Sequence, residues 1–345
     1  MRQPTIRDVA ERAGVSKSLV SLVLRGSGQV RPEKRDAVLR AAQELGYRPN
    51  AAARSLSEQR ALPPALDVDR AGGTLMVGVL LNDLRNPWFV DLLEGLNSLL
   101  HANGLHMLLA DARLNRRTGQ DPADPLLDLR VDGLVVVGTL PDPAALGAVA
   151  ERIPVVLAGS REPAPPGVDV VAGDDERGAR LVAEHLIGLG HRRIAHIAGY
   201  GVVGELRRGS FEAAMRRHGL AEQAVVEPSD MTEEGGYRTT VRLLSGPERP
   251  TAVFAVNDMA AIGVLSAAEE MGLRVPRDLS VVGYDNTSIA RLRHVWLTTV
   301  DNSSHEVGRR AARCLLERFV GPGGAGRVQL ATPTLEIRGT TVPAP

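Results

Sequence analysis

The chain has 345 residues, 43% hydrophobic and 24% charged, with a single cysteine and equal numbers of acidic and basic side chains. That length exceeds one ordinary core and predicts two or three domains. The lone Cys314 excludes an intrachain disulfide and fits a reducing cytoplasm, and no apolar run reaches the roughly 20 residues that span a bilayer. The net charge of zero hides an asymmetry. Residues 1–60 carry 12 Arg or Lys against 6 Asp or Glu, and the remainder carries 29 against 35. A basic N-terminal segment on an acidic body points to a polyanion partner for that segment alone. Met1 to Asp8 contain no apolar core of a secretory signal.

Three short helices are predicted first. Thr5 can cap a helix, with Asp8 three residues on where a capping box carries an acid. Ile6, Val9, Ala10 and Ala13 then share one face. Gly14 permits a sharp turn, because it takes positive φ without a Cβ clash. Ser16 caps a second helix from about Lys17 to Leu24. There Val20, Val23 and Leu24 face inward, and Lys17, Ser18 and Ser21 face outward. Two short helices joined by Gly14-Val15-Ser16 form a helix-turn-helix, whose second helix presents its first residues to base edges in the major groove. Pro32 suits the start of a third helix, which runs to Leu45 and stops at Gly46. Residues 57–74 read as a linker, broken by Pro63-Pro64 and Gly72-Gly73.

From Leu75 strands and helices alternate. Leu75–Leu81, Leu105–Ala110, Leu134–Val137, Val155–Leu157, Ile194–Ile197, Val253–Val256 and Ser280–Val282 have the apolar character of buried parallel strands. Phe89–Ala102 and Ala179–Leu189 have the amphipathic character of crossover helices. The order predicts a doubly wound α/β architecture, with ligands outside the carboxyl ends of the strands.

The run Thr5-Ile6-Arg7-Asp8-Val9-Ala10-Glu11-Arg12-Ala13-Gly14-Val15-Ser16 resembles the opening of lactose-repressor-family (LacI/GalR) transcription regulators. So does Leu45-Gly46-Tyr47-Arg48-Pro49-Asn50-Ala51-Ala52-Ala53-Arg54-Ser55-Leu56. The resemblance continues through Asn86-Pro87-Trp88-Phe89, Arg130-Val131-Asp132-Gly133, Leu189-Gly190-His191-Arg192-Arg193-Ile194 and Val282-Gly283-Tyr284-Asp285-Asn286, and so covers essentially the whole chain.

The resemblance implies an all-α helix-turn-helix headpiece over 1–49 and a hinge helix and linker over 50–74. It implies a two-lobed, periplasmic-binding-protein-like α/β domain with parallel sheets over 75–345. The lobes would be about 75–172 plus 302–330 and about 173–301 plus 331–345. The hinge helix, Asn50 to about Ser57, is too short to be stable alone and would order only on DNA. Leu56 matches the family's leucine wedge, which kinks the operator from its minor groove. The implied DNA-binding residues are Thr5, Lys17, Ser18, Ser21, Leu22, Arg25, Arg31, Asn50, Ala53 and Leu56. Three of them depart from the family pattern. Leu22 stands for a common arginine that can read guanine, Arg31 for a Ser or Thr cap, and Arg25 for a frequent asparagine. The operator preference is therefore expected to differ from the usual half-site.

The implied effector residues are Asp83, Asn86, Trp88, Phe89, Arg207, Asn257 and Asp285. An arginine fork, amides and carboxylates suit a polyol, and an aromatic ring can stack on a sugar face. Gly159 stands where many members carry an effector-binding aspartate, and Met231 where some carry an aromatic. The ligand class stays open between pentose, hexose and nucleoside. Pro122 and Pro125 predict a loop over Asn115–Asp128. The expected assembly is a cytoplasmic homodimer on a roughly palindromic operator, with no enzyme activity, cofactor, metal or membrane partner. The alternative is an NAD(H)-binding enzyme or sensor. Gly199, Gly201 and Gly204 fit G-x-G-x-x-G after a predicted strand, and Glu227 ends a later apolar run.

Overall fold

The computed structural model describes residues 4–24, 30–45, 47, 75–115, 122–138, 143–321 and 324–345. The expected hinge helix and linker, with Arg25, Asn50, Ala53 and Leu56, lie outside the described residues.

The N-terminal helices form as their caps dictate. Helix α1 (Ile6–Ala13) begins where the Thr5 N–H and Oγ1 both donate to the Asp8 carboxylate, at 2.6 and 2.7 Å. It ends at Gly14, with φ 65°. Helix α2 (Lys17–Leu24) is capped by the Leu19 N–H on Ser16 Oγ. Helix α3 (Pro32–Glu44) opens on Pro32 behind Arg31, whose side chain makes no capping bond. Val9, Val20, Val23, Val38 and Ala41 form a small shared core.

The α/β region holds two six-stranded sheets. The first contains β1 (Met76–Leu81), β2 (His106–Asp111), β3 (Gly133–Val137), β4 (Val155–Ala158), β5 (Asp169–Gly173) and β11 (Val328–Ala331). Its order is β11-β5-β4-β3-β1-β2, and every pairing is parallel. The second contains β6 (Ile194–Ala198), β7 (Ala224–Pro228), β8 (Ala252–Ala255), β9 (Ser280–Tyr284), β10 (Thr298–Asp301) and β12 (Thr334–Glu336). Its order is β12-β10-β9-β8-β6-β7, with only β12 antiparallel. Central strands such as Leu134–Val137 are apolar throughout because helices cover both faces.

Helix α4 (Trp88–Ala102) follows β1. Two short helices, α5 (Ala112–Asn115) and α6 (Asp124–Asp128), follow β2. The loop expected over Asn115–Asp128 is therefore corrected at its end. Pro125 lies in the first turn of α6, where its missing N–H costs nothing. Helices α7 (Pro143–Ala150), α8 (Asp175–Gly188), α9 (Gly201–Arg217), α10 (Glu233–Ser245), α11 (Asp258–Glu270) and α12 (Ser304–Val320) complete the order.

The chain enters the second sheet after β5, returns through α12 to β11, and crosses again to β12. Helix α12 packs against α4 and over β4 and β5. The two helices approach so closely that a Cβ on Gly95 would overlap the His305 carbonyl, and one on Gly308 the Leu92 carbonyl.

Asp169 fixes α12 to the first sheet. It is fully buried and accepts from Arg318 Nη2 at 2.9 Å and Arg327 Nη2 at 3.1 Å. Burial alone would raise its carboxyl, but the two guanidinium groups outweigh burial and hold it at about 2. A folded-state value below the unfolded one adds stability above the unfolded pKa, and that stability is lost as pH falls through the folded value. Asp169→Ala leaves the largely buried Arg318 without its carboxylate, while Arg327 keeps Glu317, and is expected to cost about 3 kcal/mol at neutral pH. The loss should shrink as pH falls from 4 toward 2, as urea melts at several pH values would show.

Candidate effector cleft and DNA-reading surface

The carboxyl ends of the strands in both sheets open on one cavity of about 480 Å³. Asn82, Asp83, Asn86, Gly138 and Gly159 reach it just after β1, β3 and β4. Tyr200, Asp230, Met231, Asn257 and Asp285 reach it just after β6, β7, β8 and β9. A concavity of similar size, about 460 Å³, lies under α6 and α7. It is lined mainly by aliphatic side chains such as Leu127, Leu134 and Val149. Convergent polar groups single out the first cavity as the candidate site.

Arg207, on α9, is 5% exposed. Its Nε donates to Asp175 Oδ1 at 2.8 Å, and its Nη1 donates to the Val256 carbonyl. Its Nη2 lies 3.6 Å from Asp285 Oδ1, and the guanidinium sits 3.6 Å over the Tyr284 ring. Burial opposes the charge, but Asp175, Tyr284 and Asp285 outweigh it and raise the pKa further. Asp285 takes φ 106°, in the region that favours glycine. Burial pushes its carboxyl well above the ordinary range, against the pull of Arg207.

The same carboxylate accepts from Asn302 Nδ2 at 2.9 Å, and Asn302 Oδ1 accepts from Trp88 Nε1 at 3.0 Å. A buried polar chain thus runs Trp88–Asn302–Asp285–Arg207–Asp175. It joins the start of α4, the return crossing, the end of β9, α9 and the start of α8. Asp258 braces the loop beside it, accepting from Thr299 Oγ1 at 2.6 Å and the Thr287 N–H at 2.7 Å. Burial pushes the Asp258 carboxyl up to about 6.

All seven expected effector residues line the cavity, but several have structural work as well. Trp88 and Phe89 are nearly buried and pack edge to face, with centroids 5.1 Å apart. Asn86 Oδ1 accepts the Trp88 N–H. Asn257 caps α11 through the Ala260 N–H at 2.8 Å and donates to the Met231 carbonyl at 3.0 Å. Asp83 is ion-paired with Arg85 and Arg113. Tyr200, 65% exposed at the cavity edge, is not among the expected effector residues. Its signal is an aromatic directly after a strand end, masked by the glycines around it.

Those glycines have packing roles. A Cβ on Gly199 would overlap Met231, and one on Gly204 would overlap the Gly199 carbonyl. Cys314 is buried, and burial pushes its thiol up to about 11, far from nucleophilic chemistry. Among the described residues no cluster of His, Cys, Asp or Glu could hold a metal, and no helix is long and apolar enough to cross a membrane.

In the N-terminal helices, Lys17 and Ser18 are exposed at the start of α2, and Leu22 is 38% exposed one turn on. Ser21 is half-buried between them. Thr5 and Arg31 are exposed, with the Thr5 hydroxyl engaged by Asp8. Leu22 thus offers an apolar contact on the surface where a helix-turn-helix meets bases.

Asp175→Ala would leave Arg207 buried beside one distant carboxylate. It is expected to lower the unfolding free energy by about 3 kcal/mol; a loss below about 1 kcal/mol in urea melts would show that the pair is not held.

The family profile of bacterial regulatory proteins, lacI family, matches residues 5–50. A periplasmic binding protein-like domain profile matches residues 183–341. The HTH-type transcriptional repressor PurR of Erwinia tasmaniensis is 34% identical over 347 residues, covering 99% of this chain and 98% of the relative. A lac repressor dimer bound to operator and the anti-inducer ONPF matches with TM-score 0.81 and 29% identity, over 99% of this chain and 100% of that one. A LacI-family regulator from Enterococcus faecium with bound ribose matches with TM-score 0.68 and 28% identity, over 78% of this chain and 100% of that one. The helix-turn-helix, the paired parallel sheets and this full-length identity place the chain in the lacI family of bacterial regulatory proteins.

Proposed function

We propose that this protein is a transcriptional repressor that binds a roughly palindromic operator as a homodimer and is controlled by a sugar or nucleoside held between its two sheets. The observation that carries this reading is the coexistence of an exposed helix-turn-helix surface and a polar cleft in one chain, matched over 99% of its length by an operator-bound repressor dimer. The 34% identity to a PurR repressor supports the same role, and the ribose-bound neighbour supports the ligand class.

In this reading residues 1–49 read DNA and 50–74 form the hinge and linker. Residues 75–345 bind effector and dimerise, with lobes of about 75–172 plus 302–330 and about 173–301 plus 331–345. Lys17, Ser18, Ser21 and Leu22 approach base edges, Thr5, Arg25 and Arg31 the backbone, and Asn50, Ala53 and Leu56 the minor groove. Asp83, Asn86, Trp88, Phe89, Arg207, Asn257 and Asp285 surround the effector. The protein works in the cytoplasm and catalyses no reaction.

Control then follows from differential affinity. A ligand shifts the equilibrium between operator-competent and operator-free states only by as much as it prefers one of them. Operator DNA must shift ligand affinity by the same factor.

The test is a selection of binding sites from random DNA, followed by anisotropy titrations with and without a panel of sugars and nucleosides. A palindromic consensus whose affinity changes with one compound supports the reading. No selectable site would overturn it. Leu56→Ala should lower specific operator affinity by about tenfold or more while nonspecific affinity changes little, because a lost wedge forfeits the bent, wrapped site. Equal losses for both would remove the wedge role.

A further inference from the structure

The indole of Trp88 is held on three sides. Its Nε1 donates to Asn302, and Asn302 donates on to Asp285. Its ring meets Phe89 edge to face. Its far edge, Cη2, occupies the space that a side chain at position 159 would fill, since a Cβ built on Gly159 would overlap it. Gly159 also takes φ 76°, so space and backbone both call for glycine there. The indole cannot swing aside without losing the Asn302 bond and emptying the space over Gly159. A void of that kind forfeits packing on both sides.

The pinned ring makes one side of the cleft apolar where a side chain at 159 would otherwise project. A ligand hydroxyl aimed at that side would be desolvated without a partner. The polar partners on the wall are Asn82, Asp83 and Asn86, just after β1, and Asn257, Arg207 and Asp285 from the second sheet's side. Asp230, Glu233 and Glu234 also line it, as does Arg85, whose guanidinium is ion-paired with Asp83. A phosphoryl group near those carboxylates would meet like charge, and Arg207 already serves two carboxylates of its own.

We propose that Trp88 and Gly159 act together as the selectivity element of the cleft, the indole standing in place of a side chain at 159 and selecting an uncharged ring ligand that turns a C–H or aromatic face toward it. This rests on the effector reading given above.

The experiment uses the full chain in a Trp296→Phe background, so that Trp88 is the single indole. Four proteins are compared: the parent, Trp88→Phe, Gly159→Ala and the double variant. Melting temperature is measured alone and against free sugars, nucleosides and the phosphate esters of each. Positive φ strains both proteins that carry Gly159→Ala equally, so the effect of Trp88→Phe within that pair isolates the indole contact.

Gly159→Ala is expected to melt about 4 °C lower and to shift Trp88 emission to the red. Trp88→Phe should lower the melting temperature of the parent but raise that of the Gly159→Ala variant. One uncharged sugar or nucleoside should stabilise the parent and its phosphate should not. Affinity for that compound should fall about tenfold in Gly159→Ala and be largely restored in the double variant.

Equal effects of Trp88→Phe in both backgrounds would overturn the contact. Unchanged ligand affinity in Gly159→Ala, or preference for a phosphate ester, would overturn the selectivity role alone. A parent stabilised by no compound in the panel would overturn the effector reading and the selectivity role with it.

Discussion

A guanidinium taken out of water costs several kcal/mol unless its donors are satisfied. Arg207 meets that demand with Asp175, Asp285, the Val256 carbonyl and the face of Tyr284. The partners come from three elements, so meeting the demand fixes the start of α8, the end of β8, the end of β9 and α9 relative to one another. Asp285 carries the constraint onward through Asn302 to Trp88 at the start of α4. The floor of the cleft is therefore one arrangement held by charge and hydrogen bonds rather than by apolar packing alone. Networks of this kind are costly when half satisfied, which favours discrete states over gradual deformation.

That property suits a switch. Asn302 lies where the chain returns from the second sheet to the first, and its side chain joins groups from both. A ligand that donates to Asp285 or accepts from Arg207 would compete with bonds that set how the two sheets meet. In the proposed repressor, that is how a small polar molecule would alter the spacing of two headpieces. The net charge of +6 on residues 1–60 suits attraction to DNA, and in the proposed repressor the surface around Leu22 would supply discrimination.

The architecture is legible in the sequence where the signals are local. The caps at Thr5 and Ser16, the turn at Gly14 and the long apolar strands all form as their residues predict. Strands β5, β7, β10, β11 and β12 are not among the expected ones. They are three to five residues long, and buried polar residues such as Asp169, Thr298 and Thr299 or exposed positions such as Val328 break the apolar run. Helix α6 is hidden in the sequence because two prolines suggest a break, although one fits a first turn. The cleft residues are legible through family resemblance, but their partners are not. Arg207 and Asp175 are 32 positions apart and meet only once α8 and α9 pack. Gly159 reads as a missing carboxylate, and only the folded chain shows an indole in its place.

The most direct measurement is reciprocity. Calorimetric titration would give the affinity of the stabilising sugar or nucleoside for the free protein and for the protein saturated with its selected operator. If the cleft and the DNA-reading surface share one equilibrium, operator DNA changes ligand affinity by the same factor by which ligand changes operator affinity. Identical ligand affinities with and without operator would contradict the coupling and leave the cleft a binding site without control over DNA.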